Sequence, residues 1–206
     1  NMLLFETSAS YMVKSPNLAP ALLAALTAAY GKPPTPEAVF YYVYAVLYAP
    51  AYRAKYAEFL KMDFPRVPFA VDVKTFEKLS ALGEKLAAMH LLHAPDLDPP
   101  TCRFEGAGDG RVGKDRQTGL RYDAAAGRVY INAAQHFAPV RAEVWEYRIG
   151  GYQVCEKWLK DRRERRLELD DIRAYCRIVS ALGLTIALQQ AIDGLYFDAA
   201  KETLRL

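Results

Sequence analysis

Four short patterns in this chain carry residue types that could do chemistry, and each lacks a part that the chemistry needs. Gly108, Asp109, Gly110, Arg111, Val112, Gly113 and Lys114 reproduce the first seven positions of a phosphate-binding loop. The eighth position should offer a hydroxyl to magnesium, but Asp115 stands there and would repel phosphate. No buried hydrophobic strand feeds the loop. Asp98-Pro99-Pro100-Thr101 has the outline of the catalytic tetrapeptide of amino-methyltransferases. Its fourth residue must be aromatic to stack on a flipped base, and Thr101 cannot stack. Asp63 with Asp72-Val73-Lys74 has the acids and the lysine of a metal-dependent nuclease. The spacing is short, however, and Pro65 and Pro68 interrupt it. His90, His93 and Cys102 supply one pair of zinc ligands where structural zinc wants two. No signature turn surrounds any serine or cysteine that could act as a nucleophile. These patterns read as a flexible loop, a proline turn, an isolated short match and a helix-end histidine pair, and the chain itself reads as non-catalytic.

Binding chemistry remains. Lys157, Lys160, Arg162, Arg163, Arg165 and Arg166 set six cations against Asp161 and Glu164 within ten residues. Such a run can neutralise backbone phosphates and set register. The alternative is a solvated helix C-terminus, where the dipole favours cations. A second basic group lies in the glycine-rich loop: Arg111, Lys114, Arg116, Gln117 and Arg121. Arginine can grip guanine in bidentate fashion and glutamine can do so with adenine. A mobile loop carrying these residues could enter a groove, or it could be an ordinary hairpin tip. The tyrosines at 41, 42, 44, 48, 52 and 56 could stack on bases, but their helical spacing favours core packing. Trp145 and Trp158 read as core anchors for the same reason.

The elements that must position these groups are mainly helical at both ends. Residues 20–30 are rich in Ala and Leu and stop at Gly31. Thr35-Pro36-Glu37 reads as an N-cap followed by proline in the first turn, opening an amphipathic helix over 37–48. Pro50 ends or kinks it, and 51–61 reads as a second short helix. Phe64-Pro65-Arg66-Val67-Pro68 must be extended. Apolar residues at 76, 79, 82, 86 and 89 predict a helix over 74–92. A proline-rich stretch at 93–101 marks a possible subdomain boundary. Residues 102–104 read as a short strand, and 120–122 and 128–131 as strands around a turn. Alternation predicts another strand over 144–149, with Gly150-Gly151 turning the chain into a helix over 152–162. Ile172, Tyr175, Val179, Leu182 and Ile186 open a long last helix, with Asp170 and Asp171 suiting its first turn. The expected class is α+β, with a helical N-terminal half, a small antiparallel sheet in the middle and a long C-terminal helix. The parts are a mainly helical region over 1–95 and a small β-sheet with helices over 96–206, or one continuous domain.

Composition sets outer limits. The chain has 206 residues, of which 52% are hydrophobic, enough for one good core or two small ones. A net charge of +3 permits a nucleic-acid partner without demanding one. Three widely spaced cysteines suit reduced thiols and a cytoplasmic setting. The apolar stretch 18–30 is too short to span a membrane and holds Pro20. Asn1 ahead of Met2, with no domain-like lead-in, reads as an excised piece.

Three stretches are long and unusual in composition: FYYVYAVLYAPAYRAKYAEFLKMDFPRVP from Phe40, VYINAAQHF from Val129 and VWEYRIGGYQVCEKWLKDR from Val144. Together they resemble the C-terminal region of large adenine-specific DNA methyltransferases of the type ISP and type IIG restriction-modification kind. The resemblance implies a target-recognition part that binds double-stranded DNA. It also implies a methyltransferase core elsewhere in a longer parent chain, using S-adenosylmethionine. Methyl transfer, DNA cleavage and ATP-driven translocation would lie in those other domains. It assigns no base-reading residue. Two readings follow: a DNA-reading part, or a structural coupling part whose neighbours do the reading.

Overall fold

The computed structural model describes residues 16–204. The first helix, α1 (Pro20–Tyr30), stops at Gly31, which takes φ 74. A left-handed residue there closes the helix at no steric cost. In α2 (Pro36–Tyr48), the Thr35 hydroxyl accepts the Ala38 N–H at 3.1 Å, as the Thr-Pro-Glu pattern requires. Pro50 then breaks the chain. The expected single helix over 51–61 is instead α3 (Pro50–Lys55) followed by a 3-10 turn (Phe59–Lys61). Asp72 caps α4 (Val73–His90) by accepting the Thr75 N–H at 2.8 Å. α2 and α4 lie in close contact. A Cβ at Gly83 on α4 would overlap the Tyr41 carbonyl oxygen on α2, so only glycine allows this approach.

A small antiparallel sheet follows, built from β1 (Arg103–Glu105), β2 (Arg121–Asp123), β3 (Arg128–Tyr130) and β4 (His136–Ala138) in the order β1-β4-β3-β2. Three of these were legible as strands. β4, only three residues long, was not. Two further expectations fail locally. Residues 144–149 form one turn of helix, α5 (Ala142–Trp145), and then β5 (Arg148–Ile149). An apolar-polar alternation over six residues fits one helical turn as well as a strand. Gly150-Gly151 does not lead into a helix directly. It is the two-residue turn that pairs β5 with β6 (Tyr152–Gln153), with Gly150 at φ 59. α6 (Val154–Lys160) then precedes α7 (Leu169–Lys201), whose start carries a reciprocal capping pair between Glu168 and Asp171.

α7 has 33 residues and extends about 50 Å at the usual rise per residue. It joins two cores. Its first half buries Tyr175, Cys176, Val179 and Leu182 against the sheet, α5 and α6. Its second half buries Ile192, Tyr196 and Ala199 against α1, α2, α3 and α4. It also repairs the break at Pro50: Gln189 Nε2 donates to the Tyr48 carbonyl at 3.1 Å and Asp193 accepts the Ala51 N–H at 3.0 Å. Among the described residues it is the one helix long and apolar enough to cross a membrane. Its apolar side chains supply both cores. Of the tyrosines in the aromatic run, Tyr42 and Tyr52 are core residues, and half-buried Tyr44, Tyr48 and Tyr56 pack against that core. Buried Tyr42 donates to the Pro68 carbonyl at 2.6 Å and Tyr52 to that of Arg66 at 3.0 Å, tying the extended proline strip to the helices.

Candidate nucleic-acid interface

The two basic segments, some fifty residues apart in sequence, meet in the structure. Residues 110–112 and 164–167 form an antiparallel ribbon centred on an Arg111–Arg166 bridge. Its bonds run from Leu167 N–H to Gly110 carbonyl, Val112 N–H to Arg165 carbonyl and Glu164 N–H to Val112 carbonyl, each 2.9 Å. Gly110, Val112 and Leu167 face the core while Arg111, Arg165 and Arg166 are exposed. The 110–112 strand alternates in and out, whereas on the facing strand Glu164, Arg165 and Arg166 are all exposed and only Leu167 turns inward. The expected mobile loop is therefore a paired element over its first half. Its second half is closed by a turn in which Asp115 accepts the Thr118 N–H at 3.0 Å and donates its own N–H to the Thr118 hydroxyl at 2.9 Å. The Thr118 N–H bond to the carboxylate, chiefly, holds the Asp115 carboxyl below its ordinary range. The residue that spoils the phosphate-loop pattern is thus a turn cap.

Beside the ribbon opens a cleft of about 770 Å³ between β2 and α6. Arg116 and Arg121 reach it from the loop side and Lys160 and Arg163 from the α6 side, and the carboxylates of Asp115, Glu146 and Glu156 share its wall. Leu120, Tyr122 and Trp145 form its apolar part, with the Tyr122 and Trp145 rings stacked at 5.2 Å. Several cations near the ribbon and cleft are already engaged. Lys157 pairs with Asp161, and Lys160 with Glu156 at 2.7 Å. Arg162 bonds Asp171 at 3.1 Å and lies 3.5 Å from the Trp158 ring centre. Burial would raise the Asp171 carboxyl, but the Arg162 guanidinium and the Glu168 N–H outweigh it and lower it. Arg121 lies 3.9 Å over the Tyr130 ring. Gln117, with its amide turned to suit its neighbour, donates to Asp115 at 3.1 Å and 3.2 Å. Arg111 donates to the Glu164 carbonyl at 2.7 Å. Among the described residues Lys114, Arg116, Arg163, Arg165 and Arg166 make no side-chain hydrogen bond or salt bridge, and all five are exposed.

Sequence reasoning missed two residues that hold this surface together. Buried Gln135 accepts the Gly110 N–H at 2.7 Å and the Asn132 side-chain amide at 2.9 Å. Asn132 also donates to the Arg111 carbonyl at 3.1 Å, and its own oxygen accepts the N–H groups of Ala134 and Gln135. An asparagine that caps a local turn is recognisable in sequence. Its contact with Arg111, twenty-one residues away, is not.

The phosphate-loop pattern is part of this surface, whereas His90 and Cys102 line neither the ribbon nor the cleft. His90 sits between Tyr44, whose hydroxyl meets Nδ1 at 2.6 Å, and Thr185, whose hydroxyl meets Nε2 at 3.2 Å. Cys102 lies against Cys176 with the sulfurs 3.5 Å apart. No group of three His, Cys, Asp or Glu among the described residues could hold a metal ion.

An α+β frame that gathers exposed arginines onto one ribbon and one cleft defines a module suited to holding a polyanion. The chain belongs to the family of type ISP C-terminal specificity domains, whose model matches residues 3–189. Solved structures share the fold. The DrdV–DNA complex aligns with a TM-score of 0.59 at 24% identity, over 84% of this chain and 19% of that one. A nuclease-deletion mutant of the type ISP restriction-modification enzyme LlaGI, in complex with a DNA substrate mimic, aligns at 0.57 and 23% identity over 75% of this chain and 13% of that one. The ATP-dependent type ISP restriction-modification enzyme LlaBIII, bound to DNA, aligns at 0.54 and 18% identity over 84% of this chain and 12% of that one. The chain thus spans less than a fifth of the length of these structures. A comparison with curated proteins yields no match.

Proposed function

We propose that this chain is the DNA-reading part of a restriction-modification enzyme, and that it binds duplex DNA through the ribbon and the adjoining cleft. The observation that carries this reading is the Arg111–Arg166 bridge, which fuses two basic segments into one exposed surface. Lys114, Arg116, Arg163, Arg165 and Arg166 neutralise phosphates, because their side chains are exposed and uncommitted. A methyltransferase core elsewhere in a longer parent chain methylates adenine in the recognised site, using S-adenosylmethionine in the cytoplasm.

A second reading, structural coupling to other domains of the parent, draws on exposed apolar residues. Phe40 is 58%, Met62 80% and Phe64 87% exposed, and all three lie on the helical side. One experiment separates the two: binding of the purified chain to duplex DNA across a salt series, with selection from a randomised duplex pool. Enrichment of a defined site that contains adenine supports reading. Binding that selects no site leaves the chain a coupling part and overturns the first reading.

A further inference from the structure

Resting on the DNA-binding reading above, we infer that the ribbon is the element that enters a DNA groove, that Arg111 determines sequence specificity, and that Gln135 and Asn132 are the positioning residues that aim it. A two-stranded ribbon is one of the two elements that fit the major groove. Reading a base edge and holding a phosphate make different demands on a side chain. A phosphate contact tolerates a long flexible arm. A base contact needs a guanidinium whose origin and direction are set before binding.

Of the exposed arginines on the ribbon, Arg111 alone is set in this way. Its carbonyl is held by Asn132 Nδ2 at 3.1 Å, and its N–H donates to Asp109 at 2.9 Å. Its Nη1 donates to the Glu164 carbonyl at 2.7 Å. The preceding residue, Gly110, is anchored by Gln135 Oε1 at 2.7 Å. Glu164 takes φ 59, a left-handed conformation uncommon outside glycine. Such a conformation persists only where surrounding bonds impose it. The Glu164 N–H to Val112 carbonyl bond and the Arg111 contact impose it here. The Arg165 backbone is also bonded, through its carbonyl to the Val112 N–H and its N–H to the Arg162 carbonyl, but the Arg165 and Arg166 guanidiniums have no partner among the described residues. Gln135 is 4% exposed, and its single side-chain oxygen accepts from Gly110 directly and from Asn132, which in turn holds Arg111.

The test uses the 206-residue chain, its selected site and random duplex, with binding read by fluorescence anisotropy over a salt series. Arg111→Lys keeps the charge and removes the fork. It is expected to lose at least about ten-fold in discrimination between site and random duplex, with the salt slope unchanged. Gln135→Leu keeps the shape and removes the acceptor, and is expected to lose discrimination likewise. Gln135→Glu keeps the acceptor and is expected to retain it. Arg166→Ala weakens both duplexes alike and lowers the salt slope by about one. Wild-type discrimination in folded Arg111→Lys and Gln135→Leu overturns this inference alone. A wild-type chain that selects no site overturns the DNA-reading function and this inference with it.

Discussion

Replacing Arg163, Arg165 and Arg166 together by alanine should flatten the salt dependence of DNA binding, whereas replacing Arg162 should not. The four side by side look equivalent in sequence. In the structure three are exposed with no partner among the described residues, and Arg162 is spent on Asp171 and on the Trp158 ring. Each phosphate neutralised in duplex DNA contributes about 0.9 to the slope of log affinity against log salt. The five free cations near the ribbon therefore set an upper bound of about 4.5, of which the triple variant removes about 2.7. Between 50 and 200 mM salt that share amounts to roughly 40-fold in affinity. Arg162→Ala should keep the slope and instead lower stability by about 1–3 kcal/mol, because it leaves the half-buried Asp171 carboxylate without its charged partner. Anisotropy titrations at four salt concentrations give the slopes, and urea melts followed by circular dichroism give the stabilities. A triple variant with the wild-type slope, or an Arg162→Ala slope reduced as much as that of the triple, would refute the partition.

Three further outcomes are expected. Tyr42→Phe removes the acceptor of the Ala70 N–H, a buried group bonded at 3.0 Å, and should destabilise by about 1–3 kcal/mol in urea melts without altering DNA affinity. Gly83→Ala drives a methyl into the Tyr41 carbonyl, so α2 and α4 must part; a cost of about 1–3 kcal/mol is expected, and an unchanged melting midpoint would contradict the close approach. Burial lowers the pKa of His90, so the unfolded chain binds its proton first. The stability this gives is full above about pH 6.5 and is lost as pH falls through the lower folded value. His90→Gln should therefore shrink the drop in Tm between pH 7.5 and pH 5.5, and an equal drop in both proteins would exclude His90 as its source.

Much of the frame was legible because its causes are local. Thr35-Pro36 and Gly31 mark helix ends through bonds that close within four residues, and the spacing of Phe76, Leu79 and Leu86 identifies a buried face without reference to any partner. The missing aromatic, hydroxyl and second ligand pair argued against catalysis for the same reason: each such motif demands neighbours close in sequence. The errors fell where elements are too short to show a period. β4 has three residues, α5 four, and the β5–β6 hairpin two on each strand, so pairing across space decides what they become.

The sequence by itself determined the α+β class, the cations and the family resemblance. It could not say which cations are free, because that depends on partners chosen by the fold. Lys157 and Lys160 find acids one helical turn away, a pairing that spacing allows. The engagement of Arg162 with Asp171 rests on how α6 meets α7, and the union of Arg111 with Arg166 on a ribbon closed across fifty residues of chain. Only tertiary structure decides such contacts, since they form when the sheet and the long last helix bury a common core, and no local preference of either segment encodes them.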